Sequence, residues 1–279
     1  MKTITNDSIL SFKEELICEE KSKATVEKYV RDVNIFSEWL ADKTLSKAEV
    51  LEYKTHLTET YAPKSVNAAI ASLNAFFAFI HRQDLKLKNL KIQRCTFAEK
   101  DKELTKAEYE RLLSTAKAKN NERLYYLMQT ICSTGIRVSE LKFITVSAVT
   151  SGSAVIHCKG KMRTVFLPKQ LCKILKEYIK RYGIVSGSVF VSKNGKPLDR
   201  SNIWADMKKL CADAGVEPGK VFPHNLRHLF ARTYYSLQKD IVRLADILGH
   251  SSVDTTRIYT MESGEVHRRQ IEKMHLLRC

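Results

Sequence analysis

Four apolar stripes recur every three or four residues through the first 80 positions, and a stripe of that period is buried by helices packing on one another. In "NDSILSFKEELICEE" the stripe is Ile9, Phe12, Leu16 and Ile17, behind an Asn/Asp/Ser start suited to a helix cap. In "SKATVEKYVRDVNIFSEWLADK" it is Val26, Tyr29, Val33, Phe36 and Leu40. "SKAEVLEYKTHLTE" follows, and then "APKSVNAAIASLNAFFAFIHRQ", where Pro63 fits the first position of a helix. With only 10 Gly and 5 Pro in 279 residues there is little to interrupt such helices, so the chain reads as helix-rich and globular.

The stretch from Lys86 to Glu103 is charged and without clear period, which marks a linker between two domains. Beyond it the elements mix. Helices are expected at 105–119, 122–133 and 136–143. "SAVIHCKGKMRTVFLP" alternates on both sides of a Lys-Gly turn, which is a hairpin with Lys159 and Lys161 at its tip. Further helices are expected near 169–182 and 199–214, then over "FPHNLRHLFA" and "DIVRLADILGH", with two short ones at the end.

The net charge of +16 is uneven. Residues 101–279 carry 31 Lys/Arg against 17 Asp/Glu, whereas residues 1–59 carry 9 against 12. An excess of this size favours a polyanion, and nucleic acid is the first candidate. No apolar run reaches the ~18–20 residues of a membrane span. The start "MKTITNDSILSFKEEL" has no continuous apolar core of the kind a secretory signal needs. Seven scattered cysteines without a CxxC pair fit reduced thiols.

Three short stretches carry candidate chemistry. In "FPHNLRHLFA" a helical advance of about 100° per residue sets Leu226, Leu229, Phe230, Thr233 and Leu237 on one side. His224, Arg227, His228 and Ala231 fall on the other, so the polar trio is expected to project together from the first two turns. A helix N-terminus with Arg and His suits an oxyanion or phosphate. A solvated face is the plain alternative. A zinc site is another, but the metalloprotease pattern requires Glu after the first His, and the chain has Asn225. In "STGIRVSEL", Gly135 can close a helix, and Arg137 and Glu140 then share a face. In "LGHSSVDTTRIYT", Ile241, Leu244, Ala245 and Leu248 form a stripe that Gly249 ends, His250 follows, and Tyr259 lies in a short helix capped by Ser251 or Ser252. Each stretch alone has an ordinary structural explanation.

In order, "TGIRVSEL", "CKGKMRTVFLP", "HNLRH", "LGH" and "TRIYT", with 23 residues from Arg227 to His250 and nine more to Tyr259, resemble the tyrosine recombinase (phage integrase) family. The similarity is to Xer-like and integrase-type site-specific enzymes and covers nearly the whole chain. It implies a mainly α fold with a small β-hairpin: a helical, SAM-like core-binding domain over 1–97, a linker over 98–103, and an α+β catalytic domain over 104–279 ending in a tail helix. It further implies DNA cleavage through a 3′-phosphotyrosyl intermediate with Tyr259 as nucleophile. Arg137 and Arg227 would clamp the non-bridging oxygens and His250 would add a donor. Lys159 would protonate the 5′ leaving oxygen, His224 would assist, and Glu140 would orient Arg137. The hairpin "KGKMR" is one residue shorter than the common family form, which leaves Lys161 as the rival of Lys159. Leu229 stands where the family often has Thr.

No cofactor and no metal are expected, since three cationic groups can meet the charge of the phosphate. The implied partners are double-stranded DNA clamped between the domains at paired recombination sites, and a homo-tetramer passing through a Holliday junction. An accessory directionality protein is left open. The implied setting is cytoplasmic and nucleoid-associated. The chain begins directly at the core-binding helices, which favours a recombinase without an arm-site module. A type IB topoisomerase-like relaxing enzyme and a non-catalytic DNA-binding regulator of the same fold are the alternatives.

Overall fold

A computed structural model of the chain describes residues 4–41, 43–92, 102–158, 161–192, 194–260, 268–269 and 271–274. The chain divides into two compact units, Met1–Arg94 and Cys95–Cys279.

The first unit holds α1 (Asn6–Cys18), α2 (Lys23–Leu40), α3 (Lys47–Thr60) and α4 (Pro63–Phe79). The first three start where a hydroxyl side chain, that of Thr5, Ser22 or Ser46, accepts a backbone N–H three residues on. α1 therefore begins one residue before the expected Asn/Asp/Ser cap, because Thr5 and Ser8 bond each other reciprocally. α4 opens on Pro63. The stripes meet in a core of Phe12, Val33, Phe36, Ile70, Leu73, Phe76 and Phe77, each no more than 2% exposed. Ile17, expected on the buried face, is 56% exposed, since Leu16 already faces inward and its neighbour is turned 100° away. α2 and α4 are also tied by polar groups. Lys28 Nζ donates to Asp32 Oδ2 at 2.6 Å, the Ala68 carbonyl at 2.8 Å and Ser72 Oγ at 3.0 Å. The start of the expected linker belongs to this unit. Asn74 pairs in both directions with the backbone of Leu87, and Asn67 with that of Leu90. Side-chain amides thus replace the missing helical periodicity.

The second unit runs α5 (Lys106–Ala118), α6 (Glu122–Thr134), a 3₁₀ helix (Val138–Phe143), α7 (Val146–Ser151), β1 (Ser153–Cys158), β2 (Lys161–Phe166) and α8 (Lys169–Arg181). It continues with α9 (Arg200–Lys208), α10 (Cys211–Ala214), a 3₁₀ turn (Pro218–Lys220), α11 (Pro223–Gln238), α12 (Ile241–Leu248), α13 (Val253–Thr256) and a last 3₁₀ turn (Arg257–Tyr259). Two segments differ from expectation. Residues 138–143 form a 3₁₀ rather than an α-helix, and it opens on an extended Arg137 whose N–H is capped by Glu140. The helix expected over 199–214 breaks into α9 and α10.

β1 and β2 form a two-stranded antiparallel sheet with Ser153 opposite Phe166 and Cys158 opposite Lys161. Lys161 is therefore the first paired residue of β2, one step down the ladder from the turn. Lys159 lies outside the described residues, as do most of the linker over 98–103 and most of the tail helix expected over 265–277. Of the tail, 268–269 and 271–272 are helical, and Ile271 and Met274 are exposed.

Among the described residues the architecture is the mainly helical one with a small hairpin that the family resemblance implied. Among the described residues no helix is long and apolar enough to cross a membrane.

Gly135 fixes the junction between α6 and the loop that follows. Its φ of +66° is left-handed, and a Cβ placed there would lie 2.4 Å from Cδ1 of Phe230. Gly135→Ala is expected to lower the melting temperature of the second unit by at least about 2–4 °C, the equivalent of ~1 kcal/mol for a unit of this size. Differential scanning calorimetry checks this.

Candidate active site

Arg227 sits on the second turn of α11 and is 1% exposed. The expectation that His224, Arg227 and His228 all project outward is corrected here: His224 is exposed and His228 half-buried, but Arg227 points inward between two helix ends. Its Nη1 donates to the Gly135 carbonyl at 2.6 Å and its Nη2 to the Leu248 carbonyl at 2.8 Å. Those carbonyls terminate α6 and α12, where the last C=O groups lack helical partners and the helix dipole is negative. Burial pulls the guanidinium pKa down to about 10, with the nearby Arg137 charge adding to the effect and the Tyr259 hydroxyl opposing it, so Arg227 stays cationic at neutral pH.

Two residues beyond each of those carbonyls lies another site residue. Arg137 follows Gly135, and its backbone N–H and Nη1 both donate to Glu140, at 2.7 and 3.0 Å. Glu140 is 1% exposed and also receives Arg163 from β2, Nη1 at 2.9 Å and Nη2 at 2.8 Å. Burial alone would raise the Glu140 pKa, but the Arg163 bonds, the Arg137 N–H and the two positive charges hold it below its ordinary value.

His250 follows Leu248 by two. Its Nε2 lies 2.9 Å from Arg227 Nη2 and its Nδ1 2.8 Å from Thr256 Oγ1. A guanidinium has only donors, so Nε2 accepts and the proton resides on Nδ1, which donates to the buried Thr256 hydroxyl. His250 was expected as a donor; in this arrangement it is an acceptor that braces Arg227.

Tyr259 is 2% exposed and packs with Ala231, Leu244 and Leu248. Its ring meets His228 edge-on, with centroids 4.6 Å apart, and stacks on His250 at 6.0 Å. His228 in turn meets His224 at 4.8 Å. On the open side, Arg137, His224 and Arg227 line a cleft of about 790 Å³, joined by Arg200, Trp204 and Lys208 of α9. Asn225, the residue that stands where a zinc-type helix would carry Glu, donates to the Lys102 and Lys220 carbonyls and anchors the start of α11.

The structure thus brings together Arg137, Glu140, His224, Arg227, His250 and Tyr259. Lys161 opens β2, though its side chain is outside what is described, and Lys159 is outside altogether. Sequence reasoning did not single out Arg163 or place His228 against Tyr259. The signal for His228 was its position one helical turn after His224. For Arg163 it was the hairpin alternation, which sets Arg163 and the buried Val165 on the same face of β2.

Comparison with known proteins identifies the family. The "Phage integrase family" matches residues 102–265, and "Phage integrase, N-terminal SAM-like domain" matches residues 9–84. Tyrosine recombinase XerA of Thermococcus kodakarensis is 32% identical, with 98% of this chain and 96% of the relative covered. XerA of Pyrococcus furiosus is 30% identical, covering 99% and 96%. A lambda integrase tetramer bound to a Holliday junction has a similar fold, with a TM-score of 0.73 at 17% identity over 92% of this chain and 77% of that one. The chain belongs to the phage integrase family. It is an enzyme of the tyrosine recombinase type.

The histidines carry a pH dependence. Burial, then the neighbouring positive charges, lower the pKa of His250 to about 4; burial, then His224 and two arginines, bring His228 to about 4 as well. An unfolded chain binds these protons near the ordinary 6.5, so between about pH 6.5 and 4 the unfolded state holds more protons and stability falls as pH falls. The melting temperature of the second unit is expected to decline across that window, and His228→Asn to flatten the decline. Melting curves between pH 7.5 and 4.5 test it; an unchanged slope in His228→Asn would show that the histidine is not held neutral.

Proposed function

We propose that Tyr259 attacks the scissile phosphate of a recombination site, forming a 3′-phosphotyrosyl bond and releasing a 5′ hydroxyl. The observation that supports this most is the meeting of residues from separate segments: Arg137, His224 and Arg227 line one cleft, His250 lies against Arg227 behind it, and Tyr259 stacks on His250. Arg137 and Arg227 take the non-bridging oxygens, where planar forks fit better than point charges. His250 acts first by holding Arg227, and a direct donor role requires that it give up that bond. His224, on the cleft wall, assists in proton handling. Because the displaced ester linkage is kept on the tyrosine, resealing needs no external energy source. The hairpin lysine, Lys159 or else Lys161, protonates the 5′ oxygen.

The enzyme acts on duplex DNA gripped by both units, with four protomers exchanging strands at two sites through a Holliday junction. The tetramer of lambda integrase on such a junction supports this assembly. An accessory protein that sets direction is compatible with this scheme, as is a place in the cytoplasm on the nucleoid. A lone relaxing enzyme is the reading that two-site and one-site assays separate: recombination requires two sites, whereas relaxation of a supercoiled circle requires none.

The target sequence can be recovered by binding selection from randomised duplexes, and a nicked suicide duplex built on it traps the covalent adduct. Tyr259→Phe is expected to bind that duplex normally and form no adduct. Arg137→Ala and Arg227→Ala are expected to slow adduct formation by roughly 10²–10³-fold, the usual loss when one transition-state donor is removed. An adduct at wild-type level in Tyr259→Phe would remove Tyr259 from the reaction.

Replacing the bridging 5′ oxygen with sulfur creates a leaving group that needs no acid. Cleavage by Lys159→Ala is expected to recover on this substrate and that by Lys161→Ala not to. The reverse pattern assigns the proton to Lys161.

A further inference from the structure

We infer that Arg163 is a positioning residue for Arg137: it occupies Glu140 so that the Arg137 guanidinium stays turned to the cleft. This rests on the proposed role of Arg137 at the phosphate. A carboxylate offers about four acceptor positions, and at Glu140 they are shared between two arginines. Oε1 accepts Arg137 Nη1 and Arg163 Nη1; Oε2 accepts the Arg137 N–H and Arg163 Nη2. Arg163 therefore holds Glu140 by two parallel bonds, while the Arg137 side chain spends a single Nη1 contact on it. The rest of the Arg137 guanidinium has no other hydrogen-bond partner among the described residues, and its side chain is 36% exposed on the cleft wall.

Without Arg163 the balance changes. Glu140, 1% exposed, would keep its charge in a poorly solvated place with two acceptor positions vacated. The nearest donor is Arg137, and a planar guanidinium prefers the two-bond geometry with a carboxylate. Arg137 would swing onto Glu140, removing both its charge and its donors from the cleft. Glu140 left alone with Arg137 is thus an inhibitor of the site; with Arg163 in place it is a support.

Arg163 is held for this task from the other side. A Cβ on Gly249, whose φ is +64°, would lie 2.6 Å from Cδ of Arg163, so the residue before His250 must be glycine for the arginine to pass. Arg163 is on the inward face of β2, paired opposite Ile156. One side chain thereby touches the hairpin, the acidic support of Arg137 and the turn that presents His250.

The test uses the full-length protein and the nicked duplex described above, at saturating protein and single turnover. The scissile phosphate is either native or a methylphosphonate, in which one charged oxygen is replaced by methyl and less positive charge is needed. Arg163→Met is expected to slow adduct formation about 10–100-fold on the native phosphate, the usual effect of losing a group that orients a primary ligand. On the methylphosphonate its rate should come within about threefold of wild type, and Arg163→Met with Glu140→Gln should recover much of the loss on native phosphate. DNA affinity should be nearly unchanged. If Arg163→Met is poorly folded, Arg163→Lys is measured for the same ratio between substrates, which a loss of folded protein does not alter. A rate within about threefold of wild type on native phosphate, or an equal defect on both substrates, overturns the inference. Arg137→Ala runs alongside. If it is slow while Arg163→Met is not, the inference alone fails; if Arg137→Ala cleaves normally, the role of Arg137 fails and takes the inference with it.

Discussion

The site is built around one buried cation. Arg227 has its guanidinium between the C-terminal carbonyls of α6 and α12, and each of those helices ends on a left-handed glycine. Burying a guanidinium costs several kcal/mol unless its hydrogens are satisfied, and two helix ends satisfy its two terminal nitrogens because their carbonyls have no helical partners. The arrangement also sets distances. Arg137 lies two residues past one carbonyl and His250 two residues past the other, so the position of Arg227 determines where both neighbours stand. A third tie, from Nη2 to His250, closes the set. Moving Arg227 would therefore disturb three groups at once, which is why its burial makes it a keystone of the geometry as well as a charge.

Charge then decides which protonation states are possible. Arg137, Arg163 and Arg227 surround a single buried carboxylate, so the region carries a positive surplus even after Glu140 is counted. In such a field a histidine gains little by taking a proton, and His224, His228 and His250 all have lowered pKa values, with burial the leading cause and neighbouring charge the second. The histidines are thus neutral at pH 7, free to accept as His250 does. The positive charge comes from arginines, which keep it across the working range of pH. A phosphodiester entering the cleft meets a fixed surplus and requires no proton uptake by the imidazoles.

The helical stripes, the hairpin and the order Arg137, His224, Arg227, His250, Tyr259 were legible in the sequence because each follows from short-range spacing. The 3.6 period set most of the buried faces of α1 and α2, and the Lys-Gly step set the hairpin turn. What could not be read depends on packing between distant segments. The inward turn of Arg227 is invisible to a helical wheel, which divides residues by angle and gives an arginine to solvent; the wheel cannot contain the carbonyls of Gly135 and Leu248. Arg163 was missed for the same reason, since its partner Glu140 is 23 residues away and only the folded hairpin brings them together. The tautomer of His250 was likewise unreadable, because it follows from the identity of the donor at Nε2. The 3₁₀ form of 138–143 was concealed by Glu140, Leu141 and Lys142, which form α-helices readily, and by a capping bond from Glu140 to the Arg137 N–H that α-helices share.

The burial of Tyr259 links this geometry to control of the reaction. In the proposed role, Tyr259 at 2% exposure would have to leave the pocket formed by Ala231, Leu244 and Leu248 to reach a phosphate. The elements that carry it suit such a move: α13 has four residues and the turn after it three, too few for either to be stable alone. The pocket also sets what must be offered in return. Tyr259 lies against His228 and His250, and His250 is bonded to Arg227, so under the proposed roles a phosphate arriving at Arg227 would act on the group that the tyrosine ring stacks on. Under those roles, binding of the scissile group and release of the tyrosine would be coupled through Arg227 and His250, so that the tyrosine would become available where a phosphate is already held.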